Sequence, residues 1–154
     1  MSPELMNALG KAGGIAAMAF GAIGSGLGAG AAGPAAIGAW KKCYAANKPA
    51  PFQLLVFIGA PLTQTIYGMI IMNTIFGKCA DPAGTPLWPG MLMAGIVGGI
   101  ALGISAWYQG KAGAAGADAL AETGQGFANY LMTLGIIETV ALFVMVFIMA
   151  LGLK

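Results

Sequence analysis

Glu138 lies inside the apolar run LMTLGIIETVALFVMVFIMALGL, residues 131–153. A bare charge at the centre of a bilayer costs about 2.5–3.5 kcal/mol on insertion scales, so intramembrane carboxylates pair with a partner or mark an ion or proton path. Four further polar residues stand in apolar surroundings: Thr63, Gln64 and Tyr67 in APLTQTIYG (60–68), and Gln109 in WYQG (107–110). Tyr67 follows Thr63 by one turn, on a similar helical face. Pro61 has no N–H, so the Phe57 carbonyl four residues earlier is expected to lose its helical partner. One negative charge, neutral side-chain oxygens and freed carbonyls suit a hard cation, which takes oxygen ligands. The set offers no lysine or arginine partner. The plain alternative is a protonated glutamate in a polar helix contact, with the uncharged residues acting as helix–helix glue.

Depth brings these residues together. Counted from a turn centred near Thr123, Gln109 is 14 residues back and Glu138 is 15 residues forward. At about 1.5 Å per residue both lie roughly 21–23 Å from the turn. In an antiparallel hairpin they face each other.

The elements that must hold this set are membrane helices. Of 154 residues 58% are hydrophobic and 8% charged, against about 25% charged in soluble domains; the chain is read as one small integral membrane domain. Four apolar segments run from about Ala12 to Gly38, Phe52 to Phe76, Leu87 to Ala112 and Phe127 to Leu153. Each approaches the ~20 residues that a spanning helix needs. None alternates with period two, so a barrel is not expected, and helices are the remaining way to satisfy a backbone in hydrocarbon. NKPAP (47–51), DPAGTPLWP (81–89) and AETGQG (121–126) separate the segments. Such short connections predict an all-α membrane protein of four transmembrane helices, built as two tandem hairpins over about 12–76 and 87–153.

Lys41, Lys42 and Lys48 cluster at the first connection, with Lys111 on the same side; Lys11, Lys78 and Lys154 are spread over the other. The positive-inside rule then puts the first and third connections in the cytoplasm and both termini outside. Trp40, Tyr44 and Trp88 are expected at the interfaces. Cys43 and Cys79 fall on opposite faces and are not expected to pair. There is no CxxC and no histidine, so zinc or iron–sulfur ligation is unsupported. A net charge of +2 is too small for a nucleic-acid footprint. The start, MSPELMNALGK, lacks the charged region and cleavage site of a signal peptide and is expected to be the mature start.

The halves repeat. AGAAG at 29–33 recurs at 112–116, and LTQTIYGM (62–69) overlays ETVALFVM (138–145), which places Leu62 opposite Glu138. One hairpin carries the carboxylate and the other an aliphatic residue. GSGLGAGAAG (24–33) satisfies GxGxxG at Gly28, Gly30 and Gly33, but no strand precedes it and no acidic residue follows at the right distance, so a dinucleotide site is rejected. Gly14, Ala17, Gly21, Gly24, Gly28 and Ala31 step at helical spacing, as do Gly95, Gly99, Gly103, Ala106, Gly110 and Gly113. Small residues on one face let backbones approach closely. They fit either an ordinary four-helix bundle or the crowded inner wall of a ring of protomers, with the bulkier segments two and four forming the outer wall.

With duplicated hairpins, Gly-rich first helices and a lone glutamate in the fourth helix, the chain resembles the duplicated four-helix proteolipid (c/K) subunit of the rotor ring of V-type and archaeal A-type rotary ATPases. The likeness spans essentially the whole chain. PLTQTIYG, YQGKAGAAG (108–116) and IIET (136–139) resemble the motifs of the sodium-translocating bacterial members. The resemblance implies Na+ ligation by Glu138, Thr63, Gln64, Gln109 and the main-chain oxygen of Ala60, with Tyr67 donating a hydrogen bond that closes the site. Leu62 replaces the glycine common in those members, which removes no proposed ligand. Partners implied are identical subunits in a ring, a static membrane subunit with a cationic residue, central-stalk subunits at the cytoplasmic loops and the lipid bilayer, with no nucleic acid. No organic cofactor is implied and no catalysis, and the setting implied is a prokaryotic cell membrane. The same ring carrying H+ stays open. So do a small secondary transporter with a glutamate coupling site and a structural junction-like proteolipid, although the latter leaves the polar set at one depth unexplained.

Overall fold

A computed structural model describes residues 1–153. Lys154, counted above on the side of the termini, lies outside the described residues. The protein is all-α, with four helices long and apolar enough to cross a membrane. Helix α1 covers Pro3–Ala45. Ser2 caps it, accepting from the Leu5 N–H at 3.3 Å, with Pro3 in the first turn, where its missing N–H removes no helical bond. The helix runs well beyond the apolar segment at both ends, because capping and propensity carry it through Glu4, Lys11, Lys41 and Lys42, where hydropathy stops. After Ala45 the chain turns at Asn47, which takes a positive φ of 52°, into the proline-rich connection.

The second rod is composite. α2 (Leu54–Gly59), a 3-10 turn (Ala60–Leu62) and α3 (Thr63–Ala80) follow one another in right-handed helical conformation. The tighter turn falls where Pro61 withholds a donor, and the Thr63 N–H bonds the Ala60 carbonyl three residues back. After a second 3-10 stretch (Pro82–Leu87), pinned by Asp81 accepting from the Ala83 N–H at 2.9 Å, α4 runs from Trp88 to Thr123. Its extra turns beyond Ala112 are helix-forming residues tied to α1 by the Lys42–Asp118 ion pair at 2.6 Å. Gly124 and Gly126, with φ of 68° and 85°, make the turn into α5 (Phe127–Phe147), which continues as a π-helical turn over Ile148–Gly152.

The expected glycine stripes meet each other within the chain. A methyl added to Gly24 would fall on the Gly103 backbone, one on Gly28 on the Ala106 carbonyl, and one on Gly95 on Gly13. All six α4 positions of the stripe are buried, as are Gly14, Ala17, Gly21, Gly24 and Gly28 of α1. Ala31 is only half-buried; the seam continues instead through Ala32, Ala36 and Ala39, because 3.6 residues per turn rotate the face. On another side α1 meets α3, with Gly21 against the Gln64 carbonyl and Gly68 against the Ala17 carbonyl. α5 is seated more thinly, with only Leu134 and Ala141 buried.

The apolar core is in two parts. One gathers Ala17, Ile71, Ile75, Cys79, Met91 and Leu102 near the termini. The other gathers Ala36, Leu54, Phe57, Ala117, Leu120 and Leu134 near the first and third connections. The two cysteines lie at opposite ends and are both buried. Trp40, expected as an interfacial anchor, donates from Nε1 to the Pro51 carbonyl at 2.7 Å and ties down the first connection. Lys111 was counted with the side of the first and third connections. It stands inside α4, two residues beyond Gln109, with its ammonium 4.0 Å from the centre of the Trp107 ring. It lies close to the depth of Gln109 rather than at a connection, so the lysine asymmetry rests on the first connection.

Candidate functional site

Between the two apolar cores lies a polar layer. Gln64 and Gln109 are both 0% exposed, so their amides must find partners inside the protein. They find each other: Gln64 Nε2 donates to Gln109 Oε1 at 2.9 Å. Gln109 Nε2 donates to Glu138 Oε2 at 3.2 Å and to the Leu134 carbonyl at 3.1 Å. The Tyr67 hydroxyl donates to the other carboxylate oxygen, Glu138 Oε1, at 2.7 Å. The Thr63 hydroxyl lies 3.0 Å from the Ala60 carbonyl oxygen and 3.1 Å from Gln64 Oε1. All five side chains singled out in the sequence, with the Ala60 main-chain oxygen, thus belong to one network drawn from three rods.

The helices explain the convergence. Thr63, Gln64 and Tyr67 occupy the first turns of α3, directly after the 3-10 turn. Gln109 is brought close by the glycine seam, since Gly110 beside it lies on the Gly28 backbone. Glu138 stands at the middle of the Phe127–Ala150 span, level with Gln109 across the Gly124–Gly126 turn. One expected oxygen is not brought in. The Phe57 carbonyl, predicted to be freed by Pro61, lies against Gly113 of α4, where an added methyl would sit 2.8 Å from it. The shorter bond of the 3-10 turn presents the Ala60 carbonyl to the network instead.

Both oxygens of Glu138 accept from neutral donors. The one ion pair among the described residues, Lys42–Asp118, is elsewhere, and the ammonium of Lys111 stacks on Trp107 and Tyr108. The arrangement therefore presents one titratable carboxylate and four neutral oxygens, from Thr63, Gln64, Gln109 and the Ala60 main chain, without a competing cation. Chemically it can hold a proton or a small hard cation, whose charge the carboxylate balances.

Two participants escaped the sequence reading. The Leu134 carbonyl is a main-chain oxygen and carries no residue-type signal, although its place one turn before Glu138 follows once Gln109 is paired there. Ser105 donates to the Ile137 carbonyl at 2.9 Å; it precedes Gln109 by four residues, and that same-face spacing was a readable signal.

A search of curated proteins finds no match to this chain. Residues 92–151, a stretch that holds Gln109 and Glu138 but not Thr63, Gln64 or Tyr67, match the family model of the C subunit of ATP synthase, whose members are non-catalytic, carry H+ or Na+, and assemble with identical copies into a ring beside an a-subunit.

Proposed function

We propose that this chain is a rotor-ring subunit of a V-type or A-type rotary ATPase, and that Glu138 carries Na+ across the membrane as the ring turns. The observation that carries the reading is the closed network around Glu138. A single mid-span carboxylate accepts from Tyr67 and Gln109, and the neutral oxygens of Thr63, Gln64 and Gln109 and the Ala60 main-chain oxygen gather beside it. The match of the second hairpin to the C subunit of ATP synthase supports a ring. Two hairpins with one carboxylate between them support the duplicated, V-type form of such a protein.

In this reading Na+ is the cargo. Loaded, the carboxylate is neutralised and travels past lipid; bare, it meets the membrane cost of a charge, so the site loads before it leaves the static partner. A cationic residue on that static membrane subunit favours the empty carboxylate and drives release. Rotation is coupled to ATP hydrolysis or synthesis in other subunits, with central-stalk subunits docked at the first and third connections on the cytoplasmic side and both termini outside, in a prokaryotic cell membrane. The same carboxylate in the same ring also suits H+, and the two cargoes are separated by one experiment. Carbodiimides attack the protonated acid, so bound Na+ protects Glu138 from labelling. Protection is expected to rise with Na+ concentration and to weaken at low pH, where H+ competes. Labelling that follows pH alone and ignores Na+ would overturn the sodium reading in favour of the proton ring.

A further inference from the structure

Along the α4–α5 seam, two polar side chains of α4 reach across to main-chain oxygens of α5. Gln109 Nε2 donates to the Leu134 carbonyl at 3.1 Å, and one turn earlier Ser105 Oγ donates to the Ile137 carbonyl at 2.9 Å. Ser105 is 5% exposed, so its hydroxyl has no water to turn to. The two accepting residues bracket the carboxylate: Leu134 is one turn before Glu138, and Ile137 is its immediate neighbour. In a regular helix each of these carbonyls already accepts from the N–H four residues on; the α4 side chains take the second lone pair.

We infer that Ser105 is a positioning residue for Glu138, acting through the Ile137 main chain, an inference that rests on the reading of Glu138 as the ion carboxylate. Ser105 hydrogen-bonds to the Ile137 carbonyl and to none of the proposed ligands. Its hydroxyl sets the height and roll of the α5 turn that carries the carboxylate. Elsewhere α5 is seated by apolar contacts, with Leu134 and Ala141 buried and Phe127, Tyr130, Val144 and Met145 packed against the two cores, none of which fixes the Ile137 carbonyl. Gln109 alone does not fix the turn, because its amide holds the Leu134 carbonyl and the carboxylate at neighbouring points and leaves the small roll of α5 about them to other contacts. A small roll lengthens both bonds that close the site, from Tyr67 at 2.7 Å and from Gln109 at 3.2 Å. With Ser105 in place, the carboxylate returns to one geometry after each opening.

The test uses the full chain in its native oligomer and measures the rate of carbodiimide labelling of Glu138 at acid pH without Na+. Ser105→Ala is expected to raise that rate about fivefold, the ratio that follows from losing one net hydrogen bond between membrane helices. Ser105→Thr, which keeps the hydroxyl, is expected to label close to the wild-type rate. Ser105→Val, of the same shape as threonine without the hydroxyl, is expected to label as fast as Ser105→Ala. A wild-type rate in Ser105→Ala, or equal rates in the threonine and valine variants, would overturn the inference, the latter by assigning the effect to packing. If Na+ fails to protect the wild type, the sodium reading falls, while the rate ratio measured without Na+ still decides the role of Ser105.

Discussion

Glu138 draws its surroundings from neutral donors and acceptors, and each has a separable task. Thr63 and Gln109 contribute oxygens to the proposed Na+ site, so Thr63→Val and Gln109→Leu are expected to raise the Na+ concentration for half-protection, each by about 1–3 kcal/mol in binding free energy. Native gel mobility should stay unchanged, because Gln109 is buried and Thr63, half-buried, is turned to Gln64 and the Ala60 carbonyl. Tyr67→Phe keeps the ring and deletes only the donor to Glu138 Oε1; it is expected to speed labelling and to weaken Na+ protection by about tenfold to a hundredfold, a hydrogen bond to a charged group being worth about 1.5–3 kcal/mol. Glu138→Gln is expected to abolish labelling and transport together. At this scale the side chains were legible because membrane segments are so poor in polar residues that Glu138, Gln109, Thr63, Gln64 and Tyr67 stand out by type. The Leu134 carbonyl was not, since every residue has one and only the pairing of two helices selects it.

At the scale of elements, the α1–α4 seam separates two kinds of glycine. Gly24, Gly28 and Gly110 lie on the opposing backbone, whereas an added methyl at Gly26, Gly30 or Gly33 meets nothing within 4 Å. Gly24→Ala is therefore expected to lower the stability of the chain by about 1–3 kcal/mol or more, as overpacking does, and Gly26→Ala to leave it near wild type; thermal unfolding in detergent followed by circular dichroism distinguishes them. If copies pack through the open face of α1, Gly30→Leu spares the helical fold and breaks the oligomer. A stripe of small residues predicts close approach, but one stripe looks like another, and which of them serves the chain itself depends on how α1 is rolled against α4.

The described chain has its two connections near Asn47 and Gln125 at one end, and the start of α1, Ala83 and Leu153 at the other. The native thiols are poor reporters of which end faces the cytoplasm, since Cys43 and Cys79 are 2% and 4% exposed. In a chain freed of both, cysteines placed at the exposed positions 125 and 83 report the orientation. An impermeant thiol reagent is expected to reach Gln125→Cys from the cytoplasmic side and Ala83→Cys from the other; the reverse pattern would overturn the orientation. Native mass spectrometry of the solubilised protein is expected to show a high-order homo-oligomer. A monomer or dimer as the sole species would favour the secondary transporter instead.

Composition and segment length by themselves determined an all-helical membrane chain, because hydrocarbon leaves a backbone few ways to satisfy its hydrogen bonds. The count of residues from a shared turn determined that Gln109 and Glu138 share a depth, because an α-helix rises by a fixed step. Only the tertiary structure decided that the Phe57 carbonyl lies against Gly113 and outside the set, while the Ala60 oxygen that the family resemblance implied sits beside the Thr63 hydroxyl. It also decided that the Lys111 ammonium lies over the Trp107 and Tyr108 rings, and that Ser105 reaches α5. These depend on the roll and height of one helix against its neighbour, quantities summed over many weak contacts that no short motif records.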